Sequence, residues 1–171
     1  DAGLAAQEPR QLLLELLVEL EGPVQEPAAG APRAVARDGG ARGLDHFGFV
    51  NSDLAFTGKY VVQGNYNGFQ VYDVSNPMKP VPALTYVCPA SQSDVSVYKN
   101  LLFVSAEGLG GRLDCGTQGV QDTVSTERIR GIRIFDATDM ANPRYIGNVQ
   151  TCRGSHTHTV VEDPKDKDNV Y

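Results

Sequence analysis

From residue 51 onward, apolar and polar positions alternate in short runs separated by Gly, Pro, Asn and Asp. Runs at about 53–57, 60–64, 69–74 and 82–87 are followed by a second set at about 94–98, 101–105, 131–136 and 144–151. Phe69 and Val71 flank Gln70, the two-residue period of a half-buried strand. Asp73 followed by Ser75-Asn76-Pro77 is a turn signal, because the Asp side chain can bond backbone two residues on and Pro supplies no donor. The pattern predicts an all-β region without a long helix, with Val61, Val71, Val104 and Ile134 buried between sheets.

The two sets of runs are copies of one unit. Ser52-Asp53-Leu54-Ala55-Phe56 matches Ser93-Asp94-Val95-Ser96-Val97, and Gly68 to Asp73 matches Gly131 to Asp136. Asp53 and Asp94 are 41 residues apart, whereas Asp73 and Asp136 are 63 apart, so the second copy carries an insertion of about 22 residues within 107–130. A third copy begins at Thr157-His158-Thr159-Val160-Val161, with His158 placed 64 residues after Asp94. Four short strands per unit of this length is the signature of a β-propeller blade. The expected organisation is an N-terminal segment, 1–45, and a partial propeller, 46–171. Blade 1 covers about 51–88, blade 2 about 92–151, and the start of blade 3 about 157–171.

The motifs Phe69-Gln70-Val71-Tyr72-Asp73-Val74 and Ile132-Arg133-Ile134-Phe135-Asp136-Ala137 resemble LVIVD repeats, and the resemblance covers about residues 50–171. It implies a propeller fold and an exported or envelope-associated protein, and it implies no established reaction. About six to eight blades close such a ring. The expectation is therefore either a fragment or a ring completed by several chains.

The first 45 residues differ in pattern. After Pro9, Arg10 to Glu21 reads as a short helix whose wide apolar face runs from Leu12 to Leu20, ended by Gly22-Pro23. An Ala-, Gly-, Pro- and Arg-rich linker follows to about Leu44. Such a face is expected to dock on its own domain or to pack on a protein partner, including a second copy of the chain. Glu15, Glu19 and Glu21 argue against an anionic membrane surface.

A net charge of −6 argues against nucleic acid, which needs a clustered basic surface. Arg128, Arg130 and Arg133 fall in an alternating run that reads as a solvated strand face. No apolar run reaches the roughly 20 residues of a membrane span. The three cysteines and the segment Gly3 to Pro9, which resembles the end of a signal peptide, point to a secreted or cell-envelope location.

Chemistry is expected on one face of the propeller. The loop leading into each innermost strand and the loop between second and third strands emerge together, which gathers 88–94, 152–158 and the insertion. Asp53, Asp94 and His158 are equivalent in the repeat, with His156 beside the last. Carboxylates and imidazoles converging on a channel mouth suit a divalent cation. The same residues serve equally well by bonding loop backbone, and Arg112 or Arg153 would relieve the crowded carboxylates as a cation does. Cys115, in the insertion, is expected to pair with Cys88, leaving Cys152 free or paired beyond residue 171. Asp163 to Asn169 reads as a solvated hairpin turn, lacking the glycine and distal glutamate of a calcium loop. No residue is assigned a catalytic role. The functional expectation is a binding or structural scaffold. A metal-dependent hydrolase or oxidase at the channel mouth and a subunit of a multi-chain assembly are the alternatives.

Overall fold

A computed structural model describes residues 51–171, and the expected helix and linker of residues 1–45 lie outside the described residues. Eight strands form two four-stranded antiparallel sheets. The first sheet contains β1 (Asn51–Thr57), β2 (Tyr60–Asn65), β3 (Gly68–Asp73) and β4 (Val81–Val87), in that order. The second contains β5 (Val95–Tyr98), β6 (Leu101–Ala106), β7 (Gly131–Asp136) and β8 (Arg144–Gln150). The described residues contain no helix.

The repeat extends to irregular features of the backbone. Asp73 Oδ1 accepts from the Ser75 amide at 2.8 Å, and Asp136 Oδ1 accepts from Thr138 at 3.0 Å. The register slips between Val71 and Tyr72 and again between Ile134 and Phe135, so both outer hairpins carry a bulge at the same place. Gly68 and Gly131 open the third strand of each sheet at φ 136° and 151°. A β-carbon there would lie 2.1 Å and 1.9 Å from the carbonyl oxygens of Tyr86 and Val149, so both positions require glycine.

Between the sheets lies a core of Ala55, Val62, Phe69, Val71, Leu84 and Tyr86 from the first, with Val95, Leu102, Val104, Phe135 and Tyr145 from the second. Phe69 and Tyr86 stack at 5.0 Å, and Phe135 meets both rings edge-on at 5.2 and 5.1 Å. Such pairs add about 0.5–1.5 kcal/mol each beyond the area they bury. Val71 and Val104 lie in this core as expected. Two expectations need correction. Val62 takes the buried place foreseen for Val61, which is half-buried on the opposite face. Ile134 is buried, but on the far side of the second sheet with Tyr98, Leu101, Phe103, Val149 and Val170. At Val61 the error is one residue, and adjacent strand residues point to opposite faces. Ile134 is the counterpart of Val71, so it faces onward from the second sheet rather than back to the first.

The two faces of each sheet follow the repeat. In the second sheet, Val95, Val97, Leu102 and Phe135 face the first sheet. Their equivalents in the first sheet are Leu54, Phe56, Val61 and Tyr72. Of these, Leu54 and Phe56 are 48% and 72% exposed, and Val61 and Tyr72 are half-buried.

The third copy contributes a hairpin rather than regular strands. Val161 and Tyr171 exchange both backbone hydrogen bonds at 2.8 Å. Lys165 N donates to Asp163 Oδ1 at 2.7 Å and Tyr171 Oη donates to Asp163 Oδ2 at 2.9 Å, so Asp163 organises the turn that connects them. Val160 and Val170 pack on the far side of the second sheet.

Candidate functional site

The insertion between β6 and β7 seats Ile129, with Leu113, against Ala90 and Ala106, and several clamps hold the rest of it. Cys88 and Cys115 form the expected disulfide, with Cα atoms 4.3 Å apart and both residues buried. Cys152 is free and exposed. Beneath the disulfide, Arg133 of β7 is fully buried and donates to the carbonyls of Cys88 (3.1 Å), Pro89 (3.3 Å) and Arg112 (2.9 Å). Burial pulls its pKa down to about 10 and pushes Tyr86 up to about 12. One guanidinium fork thus ties β7 to the segment before β5 and to the insertion.

Arg112 organises the insertion from within. It makes a two-pronged contact with Asp114, 2.8 Å to each oxygen, and reaches Glu127 Oε2 at 2.7 Å. These bonds raise the Arg112 pKa and bring Asp114 down to about 2, chiefly through the hydrogen bond to Arg112. Arg128 closes the far side by donating to the carbonyls of Leu109, Asp122 and Thr123. The clamped loop presents two exposed apolar side chains, Leu109 (65%) and Val124 (90%).

The three expected segments do converge. Glu107 and Gly108 donate backbone bonds to Ala90 O, and Ser155 N donates to Ala106 O. Gly154, at φ 86°, lets residues 152–158 pass directly over Glu107. Asp94, His158 and Ser105 then form one buried cluster. Asp94 Oδ2 accepts from the His158 backbone N at 3.0 Å and lies 3.6 Å from His158 Nδ1. Ser105 Oγ is 2.8 Å from His158 Nδ1 and 2.9 Å from Ser155 Oγ. Burial lowers the His158 pKa, against the opposing fields of Asp94 and Asp53.

The chain matches no family model, no curated protein and no solved structure.

Other expected members of the site are placed elsewhere. His156 turns away from His158 and pairs with Glu107, Nδ1 to Oε1 at 2.5 Å. Residues two apart share a face on a regular strand, but 152–158 is irregular, so that rule does not apply. Arg112 is occupied by Asp114 and Glu127 within the insertion. Arg153 is exposed and contributes its carbonyl, which accepts from Arg130. Among the described residues no group of three or more His, Cys, Asp or Glu side chains could hold a metal ion. The four-residue set Asp53, Asp94, His156 and His158 is thus not assembled as a ligand cage. Sequence reasoning missed Ser105 and Glu107, and its solvated strand face is wrong for Arg133, which is fully buried against three carbonyls. Arg133 had a signal: its counterpart in the first copy, Gln70, is also a polar residue within a strand.

Proposed function

We propose that the chain is a binding scaffold built from LVIVD-like propeller blades, exported from the cell, whose recognition surface is the clamped insertion with the segments 88–94 and 152–158. The observation that carries this reading is the disulfide and buried arginine fixing a loop that ends in exposed Leu109 and Val124. Ordering a Gly-rich loop costs conformational entropy, and meeting that cost before a partner arrives strengthens binding. The disulfide also accords with an oxidising compartment. Panning a random-peptide display library against the chain and a Leu109→Ser/Val124→Ser variant tests the reading. Peptides that bind the parent and lose the variant are expected. Equal binding to both, or no enrichment, would sink it.

The assembly reading has its own support in Leu54 and Phe56, exposed where their equivalents Val95 and Val97 face a neighbouring sheet. An apolar sheet face of this kind favours association with another sheet. Light scattering should return more than the mass of one chain, and Phe56→Glu should return one chain. A parent that is monomeric at all concentrations overturns this second reading.

A further inference from the structure

The third copy is held to the second sheet at two separate ends. At one end, Tyr98 Oη donates to Lys167 O at 2.5 Å and Lys99 pairs with Asp168. At the other, the attachment passes through the Asp94, Ser105, Ser155 and His158 cluster. His158 is 9% exposed at its side chain. Its Nδ1 faces Ser105 Oγ and Asp94 Oδ2, whereas its Nε2 is buried with no hydrogen-bond partner.

That arrangement favours one tautomer. A proton on Nδ1 donates to Ser105 Oγ and faces the Asp94 carboxylate, leaving Nε2 as a bare acceptor. A second proton must then enter at Nε2, where it meets no acceptor. An unmatched buried N–H carrying charge costs far more than an unmatched lone pair.

We propose that His158 is an acid-released latch: protonation at Nε2 frees residues 153–158 from β5 and β6 while the Lys167–Asp168 end stays attached. The groups bearing on the imidazole are Asp53 at the start of β1, Asp94 before β5, Ser105 on β6 and Ser155 on its own segment. Glu107, next on the insertion, is engaged by His156. The two carboxylates favour the charged ring and burial opposes it, with burial the larger effect. The sign follows from a depressed folded-state value. The attachment is complete above the unfolded histidine value of about 6.5 and weakens as pH falls toward the lower folded one.

Amide hydrogen exchange across a pH series on the whole chain tests the latch, with ring titration followed by NMR. The amides of Ser155 and His158, bonded to Ala106 O and Asp94, should lose about tenfold in protection factor between about pH 7.5 and 5.5. The Val161 and Tyr171 amides, paired with each other, should keep theirs. In His158→Asn the amide nitrogen replaces Nδ1 and position 158 no longer titrates, so the pH dependence should vanish while the attachment persists. The latch is overturned if His158 titrates at or above 6.5, if both sets of amides open together, or if His158→Asn keeps the pH dependence.

Discussion

Single residues decide this fold where the backbone must do something unusual. Gly131 and Gly68 sit at positive φ with a carbonyl oxygen occupying the place of a β-carbon. Gly58 also has positive φ, yet a β-carbon there meets nothing within 4 Å. Gly131→Ala should therefore cost about 3 kcal/mol in urea unfolding, and Gly58→Ala only about 1 kcal/mol. Equal losses would mean that backbone strain, rather than the close carbonyl, sets the cost. Residue-scale chemistry was only partly legible in the sequence. Asp94 and His158 could be placed together because the repeat fixes equivalent positions. Glu107 and Ser105 could not, because their partners depend on how residues 152–158 cross the insertion.

Elements were easier to read than their contents. Strand limits fell within a residue or two of the structure, since alternation and turn residues are local signals. The error at Val61 arose where Tyr60, Val61 and Val62 are all apolar and the alternation disappears. The repeat puts Cys88 and Cys152 in equivalent places within reach of Cys115, and Cys88 is favoured because it lies in the same copy as the insertion. The weight of the disulfide can be measured. Cys88→Ser/Cys115→Ser should lower stability by about 2–4 kcal/mol, read from urea unfolding, while far-ultraviolet circular dichroism keeps its β signature. The Arg112 pair adds a pH dependence to the same element. Asp114 has a depressed folded-state pKa of about 2, so its contribution is complete above the usual carboxylate value and is lost as pH falls through about 2. Loop-specific amide exchange should show 107–130 loosening across that window, and Asp114→Asn should remove the effect.

At the scale of the whole molecule, equivalent positions differ because their neighbours differ. Leu102 is buried against the first sheet, whereas its counterpart Val61 is half-buried on the open face. Leu102→Ala should cost about 2–5 kcal/mol in urea unfolding, and Val61→Ala less than about 1 kcal/mol. Comparable losses would mean that the open face is covered in solution. Sequence patterning showed that both positions lie on strands, but not which sheet face finds a partner.

Both sheets are simple meanders, in which every paired strand is the next one along the chain. That connectivity bears on synthesis at the ribosome. Residues 51–87 contain all four strands of the first sheet, so its pairing can finish before β5 has emerged. The second sheet then condenses on a template already present, with its longest wait between β6 and β7, while residues 107–130 are made. Contacts that close short stretches of chain form faster than those that close long ones. Shortening that stretch should consequently speed refolding of the second sheet and leave the first unchanged. Stopped-flow fluorescence of the single-tryptophan variants Tyr145→Trp and Tyr66→Trp would resolve the difference, since the chain has no tryptophan of its own.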